Sequence, residues 1–160
     1  MSASLSFSEC AAAEVPLALL LLADPNEAKV RAYLERSRCF VALHDGTVAG
    51  ACVVQAREAG VHELMNIAVD PAMQKTGVGT ALLRWVIDVY RKAGATQLEV
   101  GTGSFGYQLA FYQRQGFRVT AIDRDFFVDN YPEPIIEDGI QLFDMLRLSL
   151  EFGNPTHRAA

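Results

Sequence analysis

The sequence predicts an α/β (α+β) fold: a mixed, mostly antiparallel central sheet of six to seven strands with helices on both faces. Three observations carry this. Between residues 39 and 69, three strand-like stretches follow one another with only short turns between them, so they pair antiparallel. From Val78 onward, apolar residues fall at 78, 82, 85, 86, 89, 90 and 93, the rhythm of an amphipathic helix. Beyond that helix the chain reads as strand, helix and two further strands, which gives the order β-α-α-β-β-β-α-β-α-β-β.

Taken in order, residues 1–8 read as a first strand. Residues 14–22 and 26–37 read as two helices divided by Asp24-Pro25-Asn26; in the second, Val30, Tyr33 and Leu34 share a face, and Arg31 and Glu35 are spaced as an i, i+4 pair. Residues 39–43 are strand-like, Asp45-Gly46 is a two-residue hairpin signal, and 47–56 continues as a strand. Ala59-Gly60 turns the chain into a strand over 63–69, where Leu64, Met65, Ile67, Ala68 and Val69 form a short apolar run without helical spacing. Pro71 ends it, and the long helix closes at Gly94. A strand over 96–100, a helix over 107–115 stopped by Gly116, and a strand over 117–122 running on toward Phe127 follow. Residues 129–139, with Pro132, Pro134 and Gly139, read as a loop, 140–150 as a long last strand, and 153–160 as a disordered tail. Residues 1–152 are expected to form a single domain.

Composition narrows the function classes. With 14 basic against 19 acidic residues and no basic stripe, the chain lacks the footprint of a nucleic-acid binder. The apolar run 17–23 is seven residues long without a basic flank, too short to span a membrane. Cys10, Cys39 and Cys52 are odd in number and not in CxxC spacing, and His44, His62 and His157 are scattered, so no disulfide framework or metal site is expected and a reducing cytoplasm fits.

Two glycine loops compete for chemistry. Gly101-Thr102-Gly103-Ser104-Phe105-Gly106 matches GxGxxG after a strand and before a helix, and Asp123 lies 22 residues beyond Gly101, as in an NAD-binding oxidoreductase. Too little chain remains after it for a parallel dinucleotide fold, and the strands before the long helix are antiparallel. The other loop, Gln74-Lys75-Thr76-Gly77-Val78-Gly79, opens the long helix. Its glycines let a ligand approach the backbone, and the first turn offers unpaired N–H groups and partial positive charge, a setting for pyrophosphate.

The context of this second loop decides between them. Asn66-Ile67-Ala68-Val69-Asp70-Pro71, then Gln74-x-x-Gly77-x-Gly79, then Ala110-Phe111-Tyr112-Gln113-x-x-Gly116-Phe117 together resemble two sequence motifs of the GCN5-related N-acetyltransferases, the GNAT family. The resemblance implies an acyl-CoA N-acyltransferase-like fold and an acetyl-CoA cosubstrate, held between the strands at 63–69 and 96–100 where they splay. It places Ile67, Ala68 and Val69 along the pantetheine through their backbone, the Ile67 N–H being set to polarise the thioester carbonyl. The pyrophosphate is expected over Gln74, Lys75, Thr76, Gly77, Val78, Gly79 and Thr80. Tyr112 matches the family tyrosine that protonates the departing thiolate, and a phenol suits that task because its pKa lies above that of a thiol. Glu63 matches a general-base glutamate of one branch, acting through water on the amine. Many members carry an asparagine seven residues before the tyrosine; here that place is Phe105, with Ser104 or Gln108 as substitutes for its contact to the cofactor.

The expected reaction is direct transfer to a primary amine, of a small molecule or a peptide, in a ternary complex. The alternative within the fold is a non-catalytic acyl-CoA-binding module, favoured by Phe105 and opposed by Tyr112. The stretch 123–138 holds six acids (Asp123, Asp125, Asp129, Glu133, Glu137, Asp138) against Arg124, with Phe126, Phe127 and Tyr131 interleaved, a rim suited to a cationic amine. Dimers are common in the family, so a homodimer is compatible with the resemblance.

Overall fold

The computed structural model describes residues 4–153. The chain divides into two compact units after Ala95. The first unit runs through β1 (Leu5–Cys10), a 3-10 turn (Ala12–Glu14), α1 (Leu17–Ala23), α2 (Glu27–Leu34), β2 (Ser37–His44), β3 (Thr47–Ala56), β4 (Val61–Val69), a second 3-10 turn (Pro71–Met73) and α3 (Val78–Lys92). Its four strands pair antiparallel in chain order.

Strand alternation sends side chains to two faces, and each face is covered. Cys39, Val41, Ala51, Val53 and Ala68 pack with Leu19, Leu20, Val30 and Tyr33 of α1 and α2. On the opposite face Phe40 meets Trp85 and Tyr90 of α3, and Gly50 lies under Val78 and Leu82. Asp45 and Gly46 both adopt positive φ (49° and 84°), the twist of a tight hairpin turn that suits the β2–β3 connection. The β3–β4 ladder contains a bulge: Val53 pairs with Asn66 and Val54 with Leu64, so Met65 has no residue opposite it.

Several expected boundaries move for local reasons. The helix expected over 14–22 starts only at Leu17, because Pro16 cannot extend it backwards and pushes Val15 to an extended ψ of 125°. The second helix ends at Leu34 rather than 37, and Ser37 already belongs to β2. Arg31 pairs with Glu27 (2.8 Å) instead of the expected Glu35, which lies beyond the last helical residue. Glutamate one turn N-terminal to the base is also the better orientation on a helix.

The second unit contains β5 (Gln97–Gly103), α4 (Tyr107–Arg114), β6 (Arg118–Asp123), α5 (Phe126–Asn130), β7 (Ile136–Glu137), β8 (Ile140–Gln141) and β9 (Met145–Glu151). β9 is flanked by β5 and β6, antiparallel to both. Two expectations fail here. The strand expected to run on to Phe127, and the loop that follows, contain the one-turn helix α5, after Asp125 at φ 60°. The long last strand is broken at 142–144, where other segments use its groups: Phe127 N–H donates to Phe143 O, Leu142 N–H to Ile135 O, and Asp125 N–H to Asp144 Oδ1. β7 and β8 form a small hairpin about Asp138 and Gly139, both at positive φ. The expected class is thus met by β1–β4 in the first unit and β5, β9 and β6 in the second, seven strands in antiparallel ladders apart from the small β7–β8 hairpin, with helices in both units. The tail expected over 153–160 lies, beyond Gly153, outside the described residues, as do residues 1–3 of the first expected strand and His157.

Candidate active site

In the first unit the site candidates are arranged by the bulge in β4. Asn66 and Ala68 face α1 and α2: Asn66 Nδ2 donates to Leu20 O (3.0 Å) and Tyr33 Oη (2.9 Å), and Tyr33 in turn bonds Asp24 Oδ2 (3.4 Å). Met65, the extra residue, packs against the same cluster. The bulge therefore shifts the alternation by one, and Glu63, which simple alternation would set opposite to Asn66, comes to the same face. There Arg57 donates to Glu63 Oε1 through both Nε (2.8 Å) and Nη2 (2.5 Å), and its Nη2 lies 3.8 Å from Met65 Sδ. His62 lies on the other face, with its ring 4.7 Å from that of Tyr90. Burial first, and the Arg38 charge second, hold its pKa below the usual histidine value.

The edges of β4 follow from one hydrogen bond. Asp70 N–H donates to Ala49 O on β3 (2.8 Å). Backbone groups alternate sides along a strand, so Ala68 and Asn66 also address β3, while Ile67 and Val69 turn their N–H and C=O away from it. The expected role of the Ile67 amide needs that orientation. Gln74 meets the same edge, its side-chain amide donating to Val69 O (3.1 Å), so this glutamine shapes the loop from within.

The loop is built by short-range chemistry. Asp70 Oδ1 accepts from Ala72 N–H (2.9 Å) with Pro71 in the first position of the 3-10 turn. Thr76 Oγ1 bonds Met73 O, Lys75 adopts φ 63°, and Gly77 caps α3 at φ 91°. A Cβ on Gly77 would meet no atom within 4 Å, so its conformation, not crowding, is what calls for glycine. The first i→i−4 bond of α3 is donated by Ala81 to Gly77 O. The amides of Val78, Gly79 and Thr80 precede it, and no side chain caps the helix. Residues 74–77 are exposed, so this end of a 15-residue helix offers N–H groups and the positive end of its dipole to an anion.

In the second unit Tyr112 sits on α4, 6% exposed, its ring edge-on to Phe111 (5.3 Å) and Phe117 (5.7 Å). Ser104 is exposed in the bend between β5 and α4, Phe105 is half-buried, and Gln108 Oε1 accepts from the buried Thr102 hydroxyl (3.4 Å). The rival glycine pattern dissolves: Gly101 and Gly103 lie inside β5, opposite Arg147 and Met145. A Cβ at Gly101 would fall 2.3 Å from Met145 Sδ, and one at Gly103 2.8 Å from Leu142 Cδ2. These glycines make room for side chains; they do not form a phosphate turn.

Burial raises the thiol pKa of Cys39 to about 11 and that of Cys52 further, and Cys10 is raised as well, so none is a ready thiolate nucleophile. Among the described residues no group of three or more His, Cys, Asp and Glu side chains is arranged to hold a metal ion, and no helix is long and apolar enough to cross a membrane. Sequence reasoning missed Arg57 and the Asp24–Tyr33–Asn66 chain. The only local signal for the first was a base in the turn before Glu63, and none existed for the second.

Comparison with known proteins agrees with this geometry. The family model described as "Acetyltransferase (GNAT) family" matches residues 12–117, across the division between the units. The chain belongs to the GNAT family of acetyltransferases. It is 45% identical over 134 residues to the N-acetyltransferase YvbK of Bacillus subtilis, covering 83% of this chain and 86% of that protein. Among solved structures, an IAA acetyltransferase from Bacillus cereus superposes with a TM-score of 0.87 at 41% identity, covering 92% of this chain and 99% of the other. A GNAT family acetyltransferase from Elizabethkingia anophelis with acetyl-CoA bound gives the same TM-score at 37% identity, over 92% and 97%.

Proposed function

We propose that this protein is an N-acetyltransferase that moves the acetyl group of acetyl-CoA directly to a primary amine within one ternary complex. The observation that carries this is the β4–loop–α3 segment: an outward-turned Ile67 and Val69 backbone followed by an uncapped helix mouth at Gly77, Val78, Gly79 and Thr80. A pantetheine amide chain and a pyrophosphate are the ligand parts that such neighbours suit, and a relative binds acetyl-CoA.

Each remaining residue has a role by its chemistry. Ile67 N–H stabilises charge developing on the thioester oxygen. Glu63 accepts the amine proton through water, the nitrogen attacks the carbonyl carbon, and the C–S bond breaks. Tyr112 donates its phenolic proton to the thiolate and is reprotonated from solvent. Lys75, Thr76 and Ser104, all exposed, add contacts to the phosphates or the pantetheine. We read 1–152 as one acetyltransferase domain, a reading supported by the family match running across Ala95. The acids at 123–138, of which Asp123 is paired with Arg147 (3.4 Å), are read as a rim that draws cationic amines; its test is replacement of Asp125 and Asp129 by Asn, expected to lower kcat/KM for a cationic acceptor and not for a neutral one.

A second reading, acyl-CoA binding without turnover, is favoured by Phe105 where many relatives carry asparagine. Thiol release from acetyl-CoA, measured against an amine library, separates the two. Release that depends on an amine supports the transferase; binding of acetyl-CoA with no release from any amine overturns it.

A further inference from the structure

β6 is an edge strand of the second unit: among the described residues its ladder runs to β9 alone. Arg118, Val119, Thr120, Ala121 and Ile122 are all exposed, and two of them are large apolar residues, Val119 at 45% and Ile122 at 62%. An open row of backbone groups flanked by apolar side chains is a template for another strand, and β6 carries neither the proline nor the lysine that commonly blunts such an edge. It carries instead a bulge. Val119 stands opposite Leu148 and Ala121 opposite Arg147, so Thr120 is the extra residue, and its hydroxyl donates to Arg147 O (3.2 Å). Leu148 and Leu146 lie two apart on β9 and share a face. Val119 and Ile122, which stand opposite them, therefore share that face although they are three residues apart. Arg118, Ala121 and Asp123, opposite Ser149, Arg147 and Met145, lie on the other.

We propose that β6 is the interface of a two-fold homodimer, in which a second copy of the chain lays its own β6 antiparallel against this one. The choice of partner comes from the strand Arg118-Val119-Thr120-Ala121-Ile122-Asp123 read against itself. About an axis between Thr120 and Ala121, Arg118 meets Asp123 of the partner subunit and Val119 meets Ile122 of the partner subunit. The same two contacts recur in reverse, as an isologous interface requires. Opposite charges and matched apolar pairs directly across a ladder are the favourable combinations. The bulge is what allows this register. A two-fold axis perpendicular to a sheet keeps each residue on its own face, so an unbulged strand pairs with its copy only about a residue, never between two. The extra residue shifts the alternation by one, and the face pattern then reads the same from both ends. Pairing about Thr120 or Ala121 would instead set Arg118 against an isoleucine or Val119 against an aspartate. Arg147 meets Asp123 through Oδ2 (3.4 Å), and the carboxylate side chain remains 44% exposed, open to a second guanidinium. The dimer does not depend on the chemistry proposed above.

The test is the mass of the full chain in solution, by sedimentation equilibrium and native mass spectrometry. The unsubstituted protein is expected to reach twice the chain mass by about 100 μM, the range of a small interface. Ile122→Lys, at an exposed position, is expected to raise the dimer Kd about tenfold or more, because each substitution counts twice across the axis. Arg118→Asp and Asp123→Lys each set like charges opposite one another and are expected to weaken the dimer to a similar extent. Mixed in equal amounts, these two variants are expected to form the heterodimer in preference to either homodimer, since both of its charge pairs are again opposite. A merely structural effect of either substitution gives no such recovery. Should Asp123→Lys, beside Arg147, fail to fold, Val119→Glu mixed with Ile122→Lys carries the same expectation, with one ion pair and one apolar pair across the axis. A chain still monomeric at that concentration overturns the proposal, as does a dimer unmoved by Ile122→Lys, which would then form through another face. Variants that weaken the dimer singly yet show no preference for each other when mixed overturn it as well.

Discussion

Tyr112 packs its ring between Phe111 and Phe117, so Tyr112→Phe keeps the packing and removes only the hydroxyl. The expected result is a fall in kcat of about 100-fold or more, with affinity for acetyl-CoA held, as measured by steady-state kinetics beside a binding titration. A variant with wild-type kcat would remove Tyr112 from the mechanism. Asn66 is the opposite kind of residue: 4% exposed, with two donated bonds that tie β4 to both helices of its face. Asn66→Ala removes two buried hydrogen bonds, although the Leu20 carbonyl keeps Asp24 N–H and the Tyr33 hydroxyl keeps Asp24 Oδ2, and a loss of about 1–2 kcal/mol in urea unfolding is expected. His62 gives a pH signature. Its folded pKa is depressed by burial and by Arg38, so the unfolded chain takes up its proton first as pH falls below the ordinary value near 6.5. This group's share of stability is therefore full above that pH and declines below it. Unfolding midpoints at pH 7.5 and 5.5 should differ less in His62→Gln than in the unsubstituted protein; an equal difference would assign the decline to other groups.

The elements show where short-range rules suffice. α3 begins where Gly77 permits φ 91° and ends with Arg91 and Lys92 in its last turn before Gly94, features that sequence spacing reveals because neighbouring residues decide them. Gly77→Ala has free space for its methyl group, so the strain is in the backbone alone, about 1–2 kcal/mol. Thermal unfolding should register that loss, and acetyl-CoA affinity should fall with it as the loop reshapes. The elements that escaped sequence reading are those set from a distance. α5 is one turn long, too short for any periodicity, and is held by Phe143 and Asp144. β9 shows an apolar pattern continuous with β8, yet the chain breaks at 142–144 because distant backbone groups claim its hydrogen bonds. The β4 bulge leaves no mark in composition, although it decides which face Glu63 occupies.

For the molecule as a whole, the transferase reading predicts linkage between ligand and stability. Acetyl-CoA at about 100 times its Kd should stabilise the folded chain by about 2.7 kcal/mol, a rise in Tm of several degrees for a protein of this size. NAD, the ligand implied by the GxGxxG pattern, should give none, since Gly101 and Gly103 are strand residues. A scan with both ligands checks the two expectations together.

The sequence by itself determined the strand and helix order in outline, the two hairpin turns, the loop before α3 and the motifs that resemble the GNAT family. Each of these is written by residues close together in the chain: period-2 and period-3.6 spacing, proline that cannot donate, glycine at positive φ. Only the tertiary structure decided that GxGxxG is a packing feature under Met145 and Leu142, that Gln74 is bound to Val69 O, and that Glu63 is paired with Arg57 across a bulged strand. Those outcomes depend on which residues meet across strands, and register is set by the sum of many contacts between distant segments, with no single neighbour carrying the signal.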